Sequence, residues 1–152
     1  MADEVRTQAD SRGARPRSIL FLCGMNSIRS PMAETIARSL LPRDQFVASA
    51  GVHKGQPDPF VTAILAERGL DPLSRTPQTL DELEDDYFEL IVTLAPEAHH
   101  RALELTRSQP VEVEYWPLQD PSLATGTRDQ ILDAYRQVRN MLETRIRARF
   151  LT

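Results

Sequence analysis

Apolar positions fall into short continuous runs and longer amphipathic stretches that take turns along the chain. Residues 1–17 carry no periodic apolar pattern and read as a disordered polar tail. Ile19-Leu20-Phe21-Leu22-Cys23 is an unbroken apolar run, as a strand buried on both faces requires. Ser30-Pro31 then reads as an N-cap followed by the first helical residue. Met32, Ala33, Ile36, Ala37, Leu40 and Leu41 form that helix's apolar face. Phe46 to Gly51 predicts a second strand. Asp58-Pro59 repeats the cap-then-proline start, and Gly69 marks the end of that helix. Thr79-Leu80-Asp81-Glu82 has capping-box spacing and predicts a short helix. Phe88 to Leu94 predicts a third buried strand, and Pro96 opens a helix that ends before Pro110. Val111 to Trp116 alternates apolar and acidic residues, as a less buried edge strand does. After Gly126-Thr127, a stripe of Ile131, Tyr135, Val138, Leu142, Ile146 and Phe150 marks a long final helix.

Four βα units in succession predict an α/β fold of three layers: a four-stranded parallel sheet with helices on both faces. One domain over residues 18–152 accommodates the whole pattern, with no repeat or linker. A chain of 152 residues, 41% apolar, can bury one core. No apolar run approaches the ~18 residues of a membrane span, and the acidic opening Met-Ala-Asp-Glu lacks a secretory pattern. A cytoplasmic location and no membrane partner are expected. Eighteen basic against twenty-two acidic residues, net −4, argue against a nucleic-acid partner held by a basic surface. Asp81, Glu82, Glu84, Asp85 and Asp86 read as a solvated face. Cys23 is the one cysteine, which excludes an intramolecular disulfide and a multi-thiolate zinc site. His53, His99 and His100 make a poor ligand set, so neither a metal nor an organic cofactor is expected. No pattern bears on oligomeric state.

Candidate chemistry gathers where the first strand meets the first helix: Cys23-Gly24-Met25-Asn26-Ser27-Ile28-Arg29-Ser30. In open α/β sheets ligands bind beyond the C-terminal strand ends. Backbone N–H groups of a tight loop and the following helix end make an anion cradle. Arg29 can hold two oxyanion oxygens with its planar fork. Cys23 lies at the base of the cradle, where positive potential favours the thiolate. A thiolate beneath a bound phosphate is poised for in-line attack on phosphorus. Gly24, Met25, Asn26, Ser27, Ile28, Arg29 and Ser30 are therefore the candidate substrate-binding residues. Ser30 could donate to the thiolate and ease its departure, and Asn26 could tie the loop's backbone together. Release of an alkoxide or phenoxide needs a proton, and hydrolysis of a phosphocysteine needs a base. Asp120, just beyond the fourth strand at the same sheet edge, is placed to serve as both.

Ile-Leu-Phe-Leu-Cys-x-x-Asn-Ser-x-Arg-Ser-Pro-Met-Ala-Glu resembles the signature of the low-molecular-weight protein tyrosine phosphatases, a superfamily that also contains thiol-linked arsenate reductases. Ser49-Ala50-Gly51 and Asp120-Pro121 resemble the family's second-strand motif and acid loop. The resemblance covers about residues 18–150. It implies Cys23 as nucleophile, Arg29 as phosphate ligand and Asp120 as acid.

The chain departs from that pattern at four places. Met25 stands where the family usually has Gly, with Gly24 one position earlier. Ile28 replaces a second loop cysteine found in many members. Ser122 and Leu123 follow Asp120-Pro121 in place of cleft-walling tyrosines. The segments around Val92-Thr93-Leu94-Ala95 and Trp116 to Gly126 look closer to the reductase branch, but Ala95 stands where thioredoxin-linked reductases carry a resolving cysteine. With one thiol, an internal thiol relay cannot run. The leading expectation is a phosphomonoesterase with a phosphocysteine intermediate, acting on a phosphorylated protein or a small phosphate ester. The alternatives are an arsenate reductase served by an external small thiol, and a non-catalytic phosphate-binding module.

Overall fold

The computed structural model describes residues 16–72, 76–83 and 87–151. Four strands are present: β1 (Ser18–Cys23), β2 (Phe46–Gly51), β3 (Leu90–Thr93) and β4 (Glu112–Tyr115). The long helices are α1 (Arg29–Leu40), α2 (Pro59–Ala66), α3 (Pro96–Leu105) and α4 (Arg128–Phe150), with 3₁₀ turns at Leu80–Glu82 and Pro121–Leu123. The sheet is wholly parallel in the order β2-β1-β3-β4. This is the expected α/β architecture.

Each face of the sheet carries its own core. Ile19, Phe21 and Cys23 of β1 join Val47, Leu90, Val92 and Trp116 against Met32, Ile36, Ile64, Tyr135, Leu142 and Phe150 from α1, α2 and α4. Leu20, Leu22, Ala48, Ala50 and Ile91 face Ala98 and Ala102 of α3. Strand β1 thus buries both sets of side chains, which is why its run is continuous rather than alternating. The final stripe is buried as expected from Tyr135 to Phe150, with Ile131 half-buried at its start.

Several local expectations shift. Helix α1 begins at Arg29, with Ile28 at the cap and no side-chain cap. Ser30 is therefore not an N-cap, and Pro31 is the third helical residue. Proline costs no bond there, because the first four helical N–H groups have no intrahelical partner. Ser30 is buried, and its hydroxyl is used elsewhere. Thr79 does form a capping box with Glu82, but the helix it starts is one 3₁₀ turn. Helix α2 ends at Ala66, and Gly69 closes the following turn at φ +69°. Pro16 and Arg17, at the end of the polar segment, are tied down: Gln45 donates to the Pro16 carbonyl, and Phe46 to that of Arg17. Residues 1–15, and Glu84, Asp85 and Asp86 of the acidic patch, lie outside the described residues. No described helix is long and apolar enough to cross a membrane.

Candidate active site

The loop between β1 and α1 is held on three sides. Beneath it, Gly51 of β2 packs so close that an added Cβ would lie 2.7 Å from the Asn26 nitrogen and 2.8 Å from the Met25 carbonyl carbon. Beside it, the chain after β2 runs along the loop: Val52, His53 and Gly55 donate to the carbonyls of Cys23, Gly24 and Met25 at 3.1, 2.8 and 2.9 Å. At its far end, Arg29 Nη1 donates to the Leu118 carbonyl at 3.0 Å. That contact joins the cradle to the loop after β4, two residues before Asp120.

Within the loop, Asn26 adopts the left-handed conformation at φ +54°, which Asn tolerates better than most residues. Its backbone N–H points at Cys23 Sγ, 3.3 Å away. Its side chain is the hub of a buried network. Gln78 N donates to Asn26 Oδ1 at 2.9 Å, which fixes the amide's orientation. Asn26 Nδ2 then donates to Ser30 Oγ at 2.8 Å and to Ser49 Oγ at 3.0 Å. Ser49 in turn gives its proton to Glu34 Oε1 at 2.6 Å. Glu34, 2% exposed, is paired with Arg38 at 3.2 Å. A hydroxyl has one proton. Ser30 already accepts from Asn26, so it can donate only to Cys23 Sγ at 2.9 Å or to the Ala50 carbonyl at 3.3 Å.

The sequence-selected residues Cys23 to Ser30 therefore converge in one loop. Met25 is accommodated by glycines that approach it from neighbouring segments, Gly51 beneath and Gly55 beside it. Its backbone pairs with Gly55, where a side chain would collide with Met25 Cβ, and its own side chain is about half exposed. Asp120 is half-buried and caps the 3₁₀ turn, its Oδ1 accepting from Ser122 N at 2.9 Å and Ser122 Oγ at 2.6 Å. Ser122 and Leu123 are exposed. Close by, Tyr135 donates to Asp58 Oδ2 at 2.7 Å. Burial, that bond, and the charges of Asp58 and Asp120 push the Tyr135 hydroxyl well above its usual range. The adjoining cavity, lined in part by Asn26, Ser27, Glu34, Ser49 and Asp58, is not walled by Cys23 or Arg29.

Glu34 and Gln78 were not singled out from the sequence. Glu34 had a signal: it lies four residues after Ser30, a charge inside an otherwise apolar helix face. Gln78 had none. His53 faces Glu97, and His99 Nδ1 lies 3.0 Å from Thr93 Oγ1. Among the described residues no group of three or more His, Cys, Asp or Glu is arranged to hold a metal.

The family profile of low molecular weight phosphotyrosine protein phosphatases matches residues 18–151. The chain belongs to this family. An arsenate reductase of Oceanobacillus iheyensis is 33% identical over 132 residues, 85% of this chain and 91% of that protein. Among solved structures, an arsenate reductase of Archaeoglobus fulgidus superposes with a TM-score of 0.67 at 31% identity, covering 86% of this chain and 96% of the other. The Erwinia amylovora tyrosine phosphatase AmsI superposes at 0.71 and 23% identity, over 90% and 92%, and so supports the fold alone. As a low molecular weight phosphatase family member, the protein is a cysteine-dependent enzyme.

Proposed function

We propose that Cys23 attacks a tetrahedral oxyanion seated on the amides of residues 24–29 beneath Arg29, and that this oxyanion is arsenate, reduced at the expense of an external small thiol. The observation that carries the nucleophile is what surrounds the Cys23 sulfur: the Ser30 hydroxyl lies 2.9 Å from it and the Asn26 backbone N–H 3.3 Å from it. The choice of arsenate is supported by relatives named arsenate reductases at 31–33% identity. It is also supported by the exposed Ser122 and Leu123, which offer no aromatic wall for a phosphotyrosine ring.

The reaction balances as follows. Cys23 displaces water from arsenate, forming a sulfur–arsenic bond. A thiol attacks the Cys23 sulfur, the sulfur–arsenic electron pair leaves with arsenic as arsenite, and a mixed disulfide remains on Cys23. A second thiol releases the cysteine. Two thiols become one disulfide. The thiols must be external because the chain holds one cysteine, with Ala95 at the place of a resolving partner.

The second reading, phosphomonoester hydrolysis through phosphocysteine, is supported by Asp120. Its loop is joined to Arg29 through Leu118, and its carboxyl could protonate the leaving oxygen and then activate water. That route needs no second thiol. Purified protein is to be assayed for arsenate-dependent oxidation of glutathione or mycothiol, and in parallel for p-nitrophenyl phosphate hydrolysis. Arsenate-dependent thiol oxidation, absent from Cys23→Ser, is the expected result. Ester hydrolysis without it would put the second reading first, and neither activity would reject both.

A further inference from the structure

We infer that Glu97 is a specificity-determining residue that limits how much negative charge the cradle accepts. The inference rests on the reading that residues 24–29 hold an oxyanion. Glu97 projects from the first turn of α3 onto Gly24, the residue next to the nucleophile. A Cβ on Gly24 would stand 2.5 Å from Glu97 Oε1, so the carboxylate occupies the space a side chain would take. This accounts for the displaced glycine of the loop: residue 24 has a carboxylate against it, whereas Met25 lies beside Gly55. His53 stands beside Glu97, its Nε2 3.5 Å from Glu97 Oε2, and its backbone N–H donates to the Gly24 carbonyl at 2.8 Å. The two residues clasp Gly24 from opposite chemistry, one by side chain and one by backbone.

A carboxylate at the rim of an anion site has one electrostatic consequence. Arg29 and the loop amides attract the oxyanion, while Glu97 repels each unit of its charge. Singly charged oxyanions are thereby favoured over doubly charged ones and over ligands with further anionic groups. Glu97 is about half exposed, its side-chain accessibility being 54%, so water screens the effect without abolishing it.

Phosphate protection of Cys23 against iodoacetamide, at low ionic strength, tests this without any turnover assay. Glu97→Gln should lower the half-protecting phosphate concentration about three- to ten-fold, and Glu97→Lys should lower it further by a similar factor. Both gains should shrink as salt is raised from about 20 mM to about 500 mM, because the Debye length then falls to about 4 Å. Equal or weaker protection across Glu, Gln and Lys overturns the inference. So does a gain that salt leaves unchanged, which would assign the effect to room at Gly24. Failure of phosphate to protect the unsubstituted protein would instead remove the cradle reading, and this inference with it. Unchanged unfolding midpoints of the exposed-site variants verify that the fold is the same in each.

Discussion

The Ser30 hydroxyl lies 2.9 Å from the Cys23 sulfur, accepts from Asn26 Nδ2, and has the Cys23 sulfur and the Ala50 carbonyl as its two possible acceptors. Ser30→Ala removes the donor but leaves the Asn26 amide 3.3 Å from the sulfur. Iodoacetamide should label Cys23 on the order of 10- to 100-fold more slowly, the worth of one charge-assisted hydrogen bond. Ser30→Thr, which keeps the hydroxyl, should restore part of the rate. An unchanged labelling rate in Ser30→Ala would send the proton to Ala50.

Arg29→Lys keeps the charge but loses the planar fork, one arm of which reaches the Leu118 carbonyl. Turnover should fall by about 10²-fold or more, and phosphate should protect Cys23 less. Cys23→Ser should abolish turnover while leaving phosphate binding, measured by calorimetry, largely in place. Near-original activity in Arg29→Lys would contradict the cradle geometry.

Asp120→Asn separates the two functional readings. If the enzyme hydrolyses phosphate esters, the phosphorylation step should slow about 10²- to 10⁴-fold for phenyl phosphate. It should slow far less for the nitrophenyl ester, whose leaving group needs little protonation. Pre-steady-state kinetics isolates that step. Equal slowing of both esters would reassign the acid.

Gly51→Ala should be more damaging than Gly24→Ala. At Gly51 the new methyl group meets three backbone atoms between 2.6 and 2.8 Å away, none of which can rotate aside. At Gly24 it meets only the end of the Glu97 side chain. Gly51→Ala should cost about 1–3 kcal/mol of stability by urea unfolding and weaken phosphate protection. Gly24→Ala should cost less than about 1 kcal/mol.

Glu67 ties α2 to α4. Its carboxylate accepts from Arg136 and Arg139, and these bonds hold its pKa down to about 2, against an ordinary 4.5. A depressed folded-state value means that the bridge stabilises fully above about pH 4.5 and is lost as the pH falls through about 2. Glu67→Gln should therefore lower the urea midpoint at pH 7. The difference from the unsubstituted protein should narrow steadily below pH 4.5. A gap that persisted undiminished at pH 2 would mean that packing, not charge, joins the helices.

The sequence by itself determined the order of elements and the place of the chemistry. The apolar run Ile19 to Cys23 had to be buried on both faces, and a chain alternating such runs with amphipathic helices had to form a parallel sheet. The same locality placed Cys23 through Ser30 in one loop, since five residues between a cysteine and an arginine can do little else at a strand-to-helix junction. Capping rules also worked where the bonds are local, at Asp58 and Thr79.

Contacts between distant segments were decided only by the tertiary structure. Ser30 reads locally as a cap, yet a buried sulfur 2.9 Å away is a partner that no local rule contains. The network from Glu34 through Ser49 and Asn26 spans α1, β2 and the loop, and Gln78 enters it from 52 residues beyond Asn26. The closeness of Gly51 to Met25, and of Glu97 to Gly24, depends on how the strands register and where α3 begins. Hydrogen-bond direction and steric room are properties of three-dimensional neighbours. Periodicity reports only which side of an element is dry.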